Sequence, residues 1–164
     1  MRPGRPTPLA LIERDLMTQL PTSRPDNRKS AAQMLDLARG FQQSALDDLA
    51  ADRPLPATSS FHEAARIAIT AVATANGRRF TNTSGHDAAV DYALGVGIVN
   101  TTDHARLDEL RELRHDINYP EDLVTPSAAD LEAIRSLVDR VIAACAAKVN
   151  PPAKKVIPPP PKRT

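Results

Sequence analysis

Tryptophan is absent from the 164 residues, cysteine occurs once, and aromatic side chains make up 3%. A core must therefore be filled by Leu, Ile, Val and Ala, which at helical spacing favours close-packed helices over a β-sandwich and argues against an all-β enzyme. Cys145 alone makes neither an internal disulfide nor a structural zinc site, so no oxidising compartment is required. No run approaches the roughly eighteen consecutive apolar residues of a membrane span. The start, Met1-Arg2-Pro3-Gly4-Arg5-Pro6, leads into no signal-peptide pattern. A soluble, cytoplasmic protein without membrane association is expected.

The net charge of +1 is unevenly spread. Residues 1–30 carry six basic against three acidic side chains, residues 31–149 eleven against seventeen, and residues 150–164 four against none. A basic footprint over a whole domain would mark nucleic acid as the main partner. Here the expected folded part is acidic, so any contact of the core with RNA or DNA must be local.

Proline, at fifteen residues, punctuates the chain. Residues 1–29 form a Pro-rich basic arm with one short amphipathic run, Leu9 to Met17, expected to make a helix of at most about three turns. From Ser30, Ala31, Met34, Leu35, Ala38, Phe41, Ala45, Leu46 and Leu49 recur at three- and four-residue steps, predicting a helix stopped by Pro54 and Pro56. Ser59 or Ser60 is expected to cap an alanine-rich second helix that ends at Gly77 in the left-handed conformation. A third helix carries His86, Ala89, Val90, Ala93 and Leu94 inward and loosens at Gly95 and Gly97.

A fourth helix begins near Thr102 or Asp103 and presents Leu107, Leu110, Leu113 and Ile117 before Pro120. Thr125 as cap and Pro126 at the first helical position start a long fifth helix with Leu131, Ile134, Val138, Val141, Ile142, Cys145 and Val149 inward. The expectation is an all-α, up-and-down bundle of four to five main helices over residues 30–149. A Pro-rich basic tail, expected to be disordered, occupies residues 150–164.

Several motifs fail on inspection. His62-Glu63-Ala64-Ala65-Arg66 approaches the zinc-protease signature, but Arg66 stands where the second histidine must be, and a cation there repels a metal. Gly95-Val96-Gly97 lacks the third glycine of a dinucleotide loop and follows a helix. Cys145, on an apolar stripe, reads as a small core hydrophobe. His62 and His104 read as surface residues, and His86 as a helix-start residue. The Pro158 to Arg163 stretch has the shape of a polyproline ligand, a match that composition alone also produces. No metal site or cofactor is expected.

The informative segment runs from Arg111 to Pro120. At about 100° per residue, Arg114, Asn118, Arg111, His115 and Tyr119 follow one another around the polar side next to the leucine stripe. Arg114 lies nearest the apolar edge, where packing can hold its guanidinium while the fork faces a phosphate or carboxylate. Against this stands the plain surface reading, since Asp108, Glu109, Glu112 and Asp116 are at hand to neutralise the strip.

Residues 30–148 resemble the HEPN domain superfamily, in particular its small stand-alone actinobacterial-type branch. The resemblance rests on the Leu35-Asp36-Leu37-Ala38-Arg39 helix, the alanine-rich helix ending Asn76-Gly77-Arg78-Arg79, the opening Gly85-His86, and Leu110 to Pro120 followed by a closing helix. It implies an all-α bundle that commonly dimerises with the Arg-bearing helices lining a shared cleft. It further implies metal-independent RNA cleavage in members carrying Arg, a polar residue, three variable residues and His. Arg114 matches the Arg and His115 the polar position, but Tyr119 replaces the His. A phenol with a pKa near 10 is a poor general base at pH 7.

The expected function is accordingly a non-cleaving or weakly active homodimeric module. It would bind RNA, a nucleotide-like anion or a protein partner through Arg111, Arg114 and Asn118. An alternative is a metal-independent endoribonuclease, a toxin held by an antitoxin, with Arg114, His115 and Tyr119 as catalytic residues. A nucleotidyltransferase is a further expected protein partner. A third reading, a purely structural bundle, requires the strip to be neutralised by the bundle's own acids.

Overall fold

The computed structural model describes residues 18–19, 25–80, 85–118 and 124–151. The expected short helix over residues 9–17, the tail beyond Pro151 and Tyr119 lie outside the described residues. Five helices make up the body: α1 (Pro25–Ala50), α2 (Pro54–Ala75), α3 (Gly85–Gly95), α4 (Thr101–Asn118) and α5 (Ala128–Val149). The expected all-α bundle is what forms. One two-residue antiparallel pairing joins β1 (Thr18–Gln19) to β2 (Arg78–Arg79), with Thr18 opposite Arg79.

The stripe on α1 buries Ala31, Leu35, Ala38 and Ala45 against α2. A three-residue link folds the chain back, with Asp52 at φ 54° making the turn. Helix α2 is the centre of the bundle and packs on every other helix. Twelve of its residues are buried, among them Phe61 and five alanines at 0% exposure, Ala57, Ala64, Ala68, Ala71 and Ala73. Alanine at the contact positions lets neighbouring backbones approach closely, and burial of Phe61 alone contributes about 1.5–3 kcal/mol.

The helix ends differ from expectation in instructive ways. Pro54 and Pro56 do not separate α1 from a later start at Ser59 or Ser60; they lie in the first turn of α2 itself. There a missing N–H costs nothing and the fixed φ suits a helix. At the other end Gly77 takes φ 71°, the expected left-handed conformation. Helix α5 starts at Ala128, and its cap is Ser127, not Thr125. Ser127 Oγ accepts from Asp130 N at 3.1 Å while Asp130 Oδ2 accepts from Ser127 N at 2.9 Å, a reciprocal capping box. Helix α3 ends at Gly95 and the chain turns through Gly97 at φ 71°.

Helix α3 docks through Tyr92, absent from the expected core, whose hydroxyl accepts from Asn76 Nδ2 at 2.8 Å. Its ring meets Phe80 edge-on at 5.5 Å. Burial pushes the Tyr92 phenol above its ordinary value. On α4 only Leu107 and Leu110 are fully buried, with Leu113 and Ile117 half-buried, so the C-terminal half of α4 sits at the margin of the core. Among the described residues no helix is long and apolar enough to cross a membrane.

Candidate functional site

Helix α4 carries the expected strip, and α2 turns out to supply its counterpart. Arg114 Nη2 lies 3.3 Å from Glu63 Oε1 on α2. The same carboxylate accepts at Oε2 from Arg66 Nε at 3.0 Å and Arg66 Nη2 at 2.7 Å. His62 Nδ1 stands 3.5 Å from Glu63 Oε1. One carboxylate therefore faces two guanidinium groups and an imidazole. His62 and Arg66 hold the Glu63 carboxyl at about 2, well below its ordinary 4.5, against the opposing effect of burial.

The sharing sets Arg114 apart from its neighbours on the strip. Arg111 Nε lies 3.6 Å from Asp108 Oδ1, and its Nη2 3.9 Å from Glu112 Oε1. His115, exposed on the outer side, has Asp116 Oδ1 at 3.9 Å. These are local pairings of α4 with its own acids, as the surface reading requires. Arg114 instead reaches across to α2, and its carboxylate already carries both donors of Arg66. Among the described residues neither Arg66 nor Arg114 has a second carboxylate within 4 Å. With two guanidinium groups on one ionised carboxylate, Arg66, Arg114 and Glu63 together hold one positive charge in excess. Both guanidinium side chains keep about a third of their surface accessible, 34% for Arg66 and 30% for Arg114.

Of the expected site residues, the structure thus brings Arg114 to a cross-helix cluster, places Arg111 half-buried one turn before it, and leaves His115 and Asn118 exposed. Sequence reasoning missed Glu63 and Arg66 as members. Their three-residue spacing signals a pair on one helix, but nothing in the sequence announces that Arg114, on a different helix, closes on the same carboxylate.

Two histidines depart from the surface expectation. His62 is only 6% exposed, because its side of α2 faces the bundle interior. His104 Nε2 lies 2.9 Å from Asp91 Oδ1, tying α4 to α3. Cys145 is buried as expected, and burial pushes its thiol up to about 12, removing it from nucleophilic chemistry at neutral pH. Among the described residues no three His, Cys, Asp or Glu side chains are grouped to hold a metal.

A groove of about 270 Å³ opens between α4 and α5, floored by Leu110, Leu113, Ile134 and Leu137 with Arg106 and Glu109 at its rim. Neither Arg114 nor Glu63 nor Arg66 lines it, so the groove and the cluster are separate features. No protein-family model, no curated protein and no solved structure matches this chain.

Proposed function

We propose that the chain is a non-cleaving, cytoplasmic binding module that holds a nucleotide-like anion at Arg114. It would act as a homodimer of HEPN-like bundles, as its resemblance to that superfamily implies. The observation that carries the reading is the two-to-one ratio of guanidinium groups to carboxylate at Glu63. The surplus charge is fixed in place by charge-assisted bonds and still reaches solvent. Residues 31–149, with seventeen acidic against eleven basic side chains, repel a long polyanion, so a localised positive spot suits one discrete phosphate better than a tract of RNA. Asn118, one turn beyond Arg114 and exposed, adds an amide to the same strip.

A structural reading is favoured by the local pairing of Arg111 with Asp108 and of His115 with Asp116, which accounts for two members of the strip without a ligand. One set of measurements separates these readings from the ribonuclease alternative. The full chain, Arg114→Ala and His115→Ala are incubated with RNA in EDTA, and AMP binding is followed in parallel at several salt concentrations. The module binds AMP, loses about tenfold or more in affinity in Arg114→Ala, weakens with salt, and leaves RNA intact. Cleavage abolished in both variants overturns it in favour of the nuclease. Absence of both binding and cleavage leaves the structural bundle.

A further inference from the structure

The geometry points to a two-helix phosphate clamp in which Arg66 of α2 and Arg114 of α4 bind one terminal phosphate together, with Glu63 as the positioning residue between them. This inference rests on the anion-binding reading above and extends it to a second helix and a ligand class.

Distance is the first support. Arg66 Nη2 and Arg114 Nη2 approach opposite oxygens of one carboxylate at 2.7 and 3.3 Å. Two nitrogens so placed are at most about 8 Å apart. A phosphate bridging two guanidinium groups through separate oxygens, with charge-assisted bonds of about 2.8 Å, can reach across up to about 8 Å, so the pair lies within its span. Each guanidinium has five N–H donors. Glu63 takes two from Arg66 and lies within reach of one from Arg114. The rest are unspent on Glu63, in side chains about a third exposed.

Charge is the second support. A phosphomonoester carries close to two negative charges at neutral pH. The two guanidinium groups set against the single Glu63 carboxylate offer one positive charge in excess. An internal phosphodiester brings one charge, and each neighbouring nucleotide adds another that the acidic body repels. A terminal phosphate on a small molecule is the better match. Glu63 is no contact for such a ligand; its negative charge holds the two cations beside one another, and pre-organisation of this kind spares the cost of ordering two long side chains on binding.

The test follows the arginine Nε–Hε signals of the full ¹⁵N-labelled chain during titration with inorganic phosphate, AMP, and a short RNA lacking terminal phosphates. The expected result is saturable movement of both the Arg66 and Arg114 signals with one common Kd for phosphate and for AMP. The unphosphorylated RNA should bind at least tenfold more weakly. Arg66→Gln and Arg114→Gln, checked for folding by circular dichroism, should each weaken AMP binding about tenfold or more. Movement of Arg114 without Arg66, or an Arg66→Gln affinity within twofold of wild type in a folded variant, overturns the clamp and leaves the single-arginine reading standing. Stillness of both signals overturns both. Equal affinity for unphosphorylated RNA overturns the terminal-phosphate assignment. Because the wild-type spectra report on Arg66 directly, the outcome does not depend on the variants folding.

Discussion

Replacing Glu63 with Gln keeps the side-chain shape and removes the charge that Arg66 and Arg114 share. The carboxyl, at an ordinary 4.5 when unfolded, is held at about 2 in the folded chain, with its side chain 19% exposed. At about 1.4 kcal/mol for each tenfold in proton affinity, this corresponds to about 3 kcal/mol of stability. Because the folded value is depressed, the unfolded chain binds the proton more readily. The contribution is therefore complete above about pH 4.5 and fades as pH falls towards 2. Urea unfolding of wild type and Glu63→Gln, followed by circular dichroism from pH 7 down to the acid limit of folding, measures it. The variant should be less stable by about 2–3 kcal/mol at pH 7, with the gap closing steadily below pH 4.5. A gap below about 0.5 kcal/mol at pH 7, or one that stays constant as pH falls, refutes the account of Glu63 as the shared counter-charge.

Two further outcomes bear on the core. Cys145 at 0% exposure should resist Ellman's reagent at pH 8 in the native chain and react within seconds once unfolded in urea; fast native labelling would show that α5 is less tightly packed than described. Ala68→Leu inserts three carbons where α2 has no exposed surface and should lower the urea midpoint by an amount equivalent to about 1–3 kcal/mol, whereas an unchanged midpoint would show slack between the helices.

Most of the bundle was legible from periodicity, because each helix has one buried stripe and the sequence repeats apolar residues at three- and four-residue steps along it. The errors fell at the ends. Pro54 and Pro56 read as a stop because proline breaks a helix interior, yet it is equally at home in a first turn, and the sequence does not say which side of it the helix lies on. The start of α1 at Pro25 was hidden because Asp26, Asn27, Arg28 and Lys29 bear no apolar period. Thr125 with Pro126 and Ser127 with Asp130 are competing start signals two residues apart, and the reciprocal pair prevailed. On α4 the presence of a polar strip beside the leucines was readable. The partner of Arg114 was not, because Glu63 reaches it through the packing of α4 on α2, a tertiary fact that no local spacing encodes.

Since α2 touches each of the other four helices, no helix can peel away without disturbing it, and the body should melt in a single cooperative step. Anything that grips a side chain of that shared spine in the native state alone then raises the melting temperature of the whole molecule, by a free energy that grows logarithmically with its concentration. A plain thermal-shift screen of small metabolites would therefore register any that does so.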